Sequence, residues 1–253
     1  MAGWKIYAKR ADFNQIAADC GISPILARII RNRDVIGSEE TRRFLSGTLS
    51  ELRDPFLLQD MDRACEILLG KIRQGARIRV IGDYDVDGIC SSYILVRTLQ
   101  AYGCSADAVL PDRVLDGYGI NERIVKEAVE DGVDTLLTCD NGISAAEPLK
   151  MACDAGLTVI VTDHHEVPFT LQADGTRIHH LPPAEAVIDP KRPPVPGCDP
   201  YPFPEICGAF TALKLCEALH VKSENRPAEW ERLHQDFLAF AALASICDVM
   251  PLK

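Results

Sequence analysis

The chain has 253 residues, 47% of them hydrophobic, with 27 Lys and Arg against 37 Asp and Glu for a formal net charge of −10. That apolar content suits a packed core and excludes wholesale disorder, and the charge balance excludes a protein that grips nucleic acid by bulk positive charge. No apolar run approaches the roughly 20 residues of a membrane span, and no signal-like stretch follows the N-terminal Met-Ala-Gly-Trp-Lys, so no membrane partner is expected.

Residues 1–75 read as a helical extension. Apolar spacing predicts helices over 14–20, 24–31, 39–45 and 61–73, with Gly21 ending the first and Pro24 opening the second. A break over 52–57 contains Asp54-Pro55. From residue 78 the pattern changes. Short β-rich runs at 78–82, 106–110, 135–139, 158–162 and 186–188 alternate with helical stretches at 91–102, 121–131 and 145–155. Strands and helices at this spacing indicate an α/β fold, mainly a parallel sheet with helices on both faces, over 76–253. Seven prolines between 190 and 204 predict an irregular surface loop, after which 206–219 and 230–244 read as helices. The ten cysteines include no C-x-x-C pair and several sit in apolar runs, which predicts a reduced, cytoplasmic protein.

Three acidic clusters each follow a predicted strand: Asp83-Tyr84-Asp85-Val86-Asp87-Gly88, Asp140-Asn141-Gly142 and Asp163-His164-His165-Glu166. Taken singly, each has an ordinary explanation as a helix cap, a turn or a solvated loop. Together they fall at equivalent ends of strands in one sheet, where α/β folds build their sites. Like charges gathered there are costly unless cations compensate, and Asp with His suits Mn²⁺ more readily than Mg²⁺. Asp248 interrupts an apolar helix end and either caps it or reaches a metal. His179-His180 reads as a surface loop, and His220 and His234 as single helical residues without a partner.

These motifs, beginning at Ile81-Gly82-Asp83, resemble those of the DHH phosphoesterase superfamily. Pro111-Asp112-Arg113 with Gly117-Tyr118-Gly119, Ile188-Asp189-Pro190 and Asp248-Val249-Met250-Pro251-Leu252 resemble the RecJ-like branch of single-strand-specific 5′→3′ DNA exonucleases. The resemblance runs over roughly residues 50–253 and implies a two-metal phosphodiesterase that uses Mn²⁺, with Mg²⁺ as a second choice, and single-stranded DNA as partner. It implies Asp83 and Asp85 on one ion, Asp87, His164 and Asp248 on the other, and Asp140 between them. His165 is then expected to contact the scissile phosphate while Asp163 orients a ligating imidazole. Arg113, Tyr118, Gly119, Lys191 and Arg192 are the candidate substrate contacts.

The segment Ile206-Cys207-Gly208-Ala209-Phe210 departs from the branch's glycine-rich pattern, which bears on contacts from that helix start. The DHH-associated and OB domains of that branch are expected to be absent from this chain. Two other readings remain open. One is a superfamily phosphodiesterase for short oligonucleotides or dinucleotides, and the other a metal-binding module inactive without its second domain. A phosphate-receiving regulator fold would not need Asp163-His164-His165.

Overall fold

The computed structural model describes residues 9–252. The chain divides into two compact units, one made of the residues up to Arg53 together with those from Pro251 on, and the other spanning Asp54–Met250. In the first, α1 (Phe13–Cys20), α2 (Pro24–Asn32) and α3 (Gly37–Ser46) carry clear end signals. Asp12 caps α1 through Gln15 N–H at 2.9 Å, and Gly21 closes it in the left-handed region. Ser23 caps α2 ahead of Pro24. Ile16, Ala17 and Ala27 form this unit's buried core.

The second unit begins with a short 3-10 turn and takes in α4 (Met61–Gln74), which the sequence reading places in the helical extension. The reason is packing. Met61, Ala64, Cys65 and Leu68 of α4 are buried in the same core as the sheet residues Ile78, Val80 and Ile160.

The sheet is parallel throughout, in the order β2-β1-β3-β4-β7. Its strands are β1 (Arg77–Ile81), β2 (Ser105–Val109), β3 (Thr135–Cys139), β4 (Thr158–Thr162) and β7 (Ala186–Ile188). Successive residues divide between two cores, as the alternation of a strand requires. Leu137, Ile160 and Ile188 pack with α4, α5 (Val86–Ala101), α8 (Gly208–Lys222) and α9 (Trp230–Cys247) on one face. Leu136, Val159, Val161 and Val187 pack with α6 (Glu122–Glu130) and α7 (Ala146–Asp154) on the other. Strands covered on both sides read as the continuous apolar runs seen in the sequence.

Two features depart from expectation. α5 starts at Val86 rather than residue 91, because Asp85 accepts Gly88 N–H at 2.9 Å and caps it, which brings Asp87 into the first turn. Residues 169–179, where the sequence predicts no strand, contain an antiparallel hairpin of β5 (Phe169–Leu171) and β6 (Arg177–His179).

The strand order reverses at β1, with β2 on one side and β3 on the other. Such a switch point opens a crevice beyond the carboxyl ends of the two strands. Asp83 and Asp140 follow β1 and β3 directly into it. No described helix is long and apolar enough to cross a membrane.

Candidate metal centre

Five elements deliver the acidic and histidine side chains. Asp83 leaves β1, Asp85 and Asp87 begin α5, Asp140 leaves β3, Asp163, His164 and His165 leave β4, and Asp248 ends α9. The ligand atoms of Asp87, His164 and Asp248 lie within 4.8 Å of one another, as do those of Asp140, His164 and His165. His164 belongs to both groups. Its Nε2 is 3.0 Å from Asp140, 3.5 Å from Asp87 and 3.8 Å from Asp248. Both of its ring nitrogens are buried, and neither is aligned in a hydrogen bond. Buried imidazole nitrogens ordinarily find partners. A cation bound among these carboxylates would accept the Nε2 lone pair.

The electrostatics agree. Burial, followed by Asp87 and Asp85, raises the pKa of Asp140. Burial also raises Asp248 and Asp83, and it lowers His164, which keeps that ring neutral and able to ligate. A cluster of acids each made harder to ionise by its neighbours fits divalent cations, whose charge reverses the penalty.

The backbone is shaped around these groups. Both oxygens of Asp87 accept the N–H groups at the start of α8, from Gly208 at 2.6 Å and Ala209 at 2.7 Å, where the helix dipole favours an anion. A Cβ on residue 208 would lie 2.6 Å from Asp140 Cβ, so glycine there lets α8 approach β3. Asp140 itself has φ +59°, a conformation Asp tolerates better than most residues. Asn141 donates to the carbonyls of Ile81 and Cys139 and accepts from Ile120 N–H, tying the ends of β1 and β3 to the loop between β2 and α6.

Asp163 has a partner other than the one expected. Its Oδ1 is 2.7 Å from His165 Nδ1 and also accepts His164 N–H, while Oδ2 accepts Ile143 N–H. Burial pushes its pKa up, but these bonds outweigh that and leave it lowered. The bond raises the pKa of His165. The imidazole that Asp163 holds is therefore the one expected to face phosphate.

Asp83 and Asp85 fall outside both groups. Asp83 accepts Gly119 N–H at 3.3 Å, and Asp85 is the exposed cap of α5. Tyr118 is built into the wall, its hydroxyl donating to the Asp140 carbonyl at 2.7 Å and its ring edge-on to His165. Arg113 lies exposed with its guanidinium 5.1 Å from the Tyr84 ring centroid. Lys191 is 3.7 Å from Glu166 and lowers the pKa of His165.

Arg192 differs from expectation. It is paired with Asp60, donates to the Val187 carbonyl and is only 11% exposed, so it clamps the loop after β7 to the start of α4. His220 and His234, read as partnerless, flank Trp230, with His220 stacked at 4.2 Å, and His234 is 2.9 Å from Glu217. The sequence reading gives Asp189 no role. It is buried with Oδ2 unpartnered, and burial and Asp163 push its pKa up to about 8. The available signal was its place directly after β7, as Asp140 and Asp163 follow β3 and β4.

A family model described as "DHH family, N-terminal domain" matches residues 77–244. The chain belongs to the DHH family. Among curated proteins, this DHH chain is 33% identical over 250 residues to the single-stranded-DNA-specific exonuclease RecJ of Bacillus subtilis, an alignment covering 98% of this chain and 29% of the relative. Among solved structures, it is similar to RecJ from Thermus thermophilus in complex with Mn²⁺, at TM-score 0.67 and 29% identity, covering 94% of this chain and 30% of that one. An exonuclease RecJ bound to manganese matches at TM-score 0.61 and 35% identity, covering 77% and 44%. The DHH chain thus spans less than half the length of these relatives.

Proposed function

We propose that this chain is the catalytic portion of a metal-dependent phosphodiesterase that hydrolyses single-stranded DNA exonucleolytically, 5′→3′, using two Mn²⁺ ions, with Mg²⁺ able to substitute. The observation that carries this reading is His164, whose ring nitrogens are both buried without a hydrogen bond and whose Nε2 sits among Asp87, Asp140 and Asp248. Similarity to RecJ exonucleases, with two solved structures that hold manganese, supports the same reading.

In this reading Asp87, His164 and Asp248 would hold one ion, Asp83 and Asp85 would serve the other, and Asp140 would be available to both. Bound divalent ions supply Lewis acidity and lower the pKa of water, so that no protein nucleophile is needed. The chain's own groups do the rest. His165, kept cationic to higher pH by Asp163, faces the phosphate and offsets charge that grows in the transition state. Tyr118 fixes the position of Asp140 through its carbonyl and borders His165. Arg113 and Lys191 supply cations to the phosphate backbone. A cytoplasmic location suits the ten cysteines, all of them free thiols.

The test is hydrolysis of end-labelled single-stranded DNA with Mn²⁺, beside a duplex and a panel of dinucleotides. Stepwise release from the 5′ end of the single strand supports the proposal. Turnover of dinucleotides alone would assign the chain to small-nucleotide chemistry.

A further inference from the structure

The β5–β6 hairpin starts four residues after His165, so Phe169 lies within about 15 Å of it along the chain. Its register pairs Phe169 with His179 and Leu171 with Arg177. Directly opposed residues of an antiparallel pair share a face, so these four side chains form one face, with Thr170 and Ile178 on the other. Every residue of both strands is exposed. The Arg177 guanidinium stacks 4.4 Å from the centroid of Phe169, and the His179 ring is 5.7 Å from the same ring. On the opposite face Thr170 Oγ1 and His180 Nε2 are 2.7 Å apart.

A two-stranded hairpin is marginal by itself, and this one buries no residue of either strand. Its chemistry also departs from that of the chain as a whole. In a protein of net charge −10 with His counted as neutral, residues 167–182 balance to zero, Arg177 against Asp174 at the turn, and add His179 and His180. A guanidinium held over an aromatic ring places a cation with N–H donors for a phosphate beside a surface on which a base can stack, a combination that recurs where single strands are bound.

We propose that this hairpin is a single-strand-binding arm: a nucleotide next to the one at the metal centre stacks on the Arg177–Phe169–His179 face, with its phosphate on the Arg177 edge. The assignment rests on the reading that the centre acts on a nucleic acid strand.

The test uses the full chain and two variants, Phe169→Leu, which keeps an apolar side chain, and Arg177→Gln. Binding of a fluorescent oligothymidylate is followed by anisotropy in EDTA, and hydrolysis of bis(p-nitrophenyl) phosphate is measured separately with Mn²⁺. Each variant is expected to bind the oligonucleotide about 10-fold more weakly. Arg177→Gln should also reduce the slope of log K against log[salt] by about 0.7. Turnover of the small diester should be unchanged in both. Unaltered affinity in either variant overturns the proposal, as does failure of the unaltered chain to bind the strand or equal affinity for duplex. If the small diester is not hydrolysed while both variants lose oligonucleotide affinity, the hydrolytic reading fails and the arm stands.

Discussion

Asp163 Oδ1 lies 2.7 Å from His165 Nδ1 and accepts the backbone N–H of His164 at the same distance. One carboxylate thus orients the His165 imidazole, proposed above to meet the phosphate, and fixes the backbone that carries His164, the proposed metal ligand. Because His165 has a raised pKa in the fold, its ion pair with Asp163 stabilises fully below the ordinary value near 6.5 and is lost as pH rises through the folded value. Asp163→Asn removes the charge while keeping the shape. The pH–rate profile of that variant should lose activity at lower pH than the unaltered chain, with turnover at neutral pH down about 10-fold. An unmoved alkaline limb would show that His165 does not act as a cation.

Asp140 presents the opposite sign. Burial and the neighbouring acids raise its pKa, so without metal its ionisation opposes folding, an effect absent at acid pH that grows as pH rises above the ordinary carboxylate value. Asp140→Asn keeps a residue that tolerates φ +59°. In EDTA at neutral pH it should be more stable than the parent by about 1 kcal/mol in denaturant melts, while Mn²⁺-dependent hydrolysis disappears.

Gly208 is placed by contact with Asp140 rather than by backbone freedom. Alanine has the better helix propensity, yet its Cβ would meet Asp140 Cβ at 2.6 Å and Oδ1 at 2.9 Å. The clash outweighs propensity, so Gly208→Ala should cost about 2 kcal/mol and weaken Mn²⁺ binding in calorimetry. A fully stable variant with parental affinity would show that α8 can move away freely.

Two arginines named together as substrate contacts should separate. Arg192→Ala removes the clamp on Asp60 and Val187 and is expected to cost about 2 kcal/mol of stability with KM for DNA unchanged. Arg113→Ala should leave the melt unaltered and raise KM about 10-fold, because its exposed guanidinium is free to meet a phosphate. Steady-state kinetics beside a thermal melt distinguishes the two.

The sheet was legible because buried parallel strands are continuous apolar runs: β3, β4 and β7 fall on the expected residues. That Asp87, Asp140 and His164 come together was legible for a related reason, since each follows a strand or begins the helix after one, whereas Asp248 joined them only through the family resemblance. What escaped depends on contacts that no local pattern encodes. Nothing in Lys191-Arg192 announces a carboxylate at Asp60, more than a hundred residues away. Nothing in His234 points to Glu217 on a neighbouring helix. The hairpin was hidden because Phe-Thr-Leu and Arg-Ile-His are only three residues each, and exposed strands leave no apolar run to read. The first turn of α5, Val86-Asp87-Gly88, escaped because an acid and a glycine there show no helical apolar spacing.

The most direct measurement is calorimetric titration of Mn²⁺ into the chain and into His164→Ala, with single-stranded DNA hydrolysis measured on the same samples. Two ions should bind the unaltered chain, and His164→Ala should lose at least one of them together with hydrolysis while its far-ultraviolet circular dichroism stays the same. A His164→Ala chain that keeps both ions and full turnover would contradict a centre built on that imidazole.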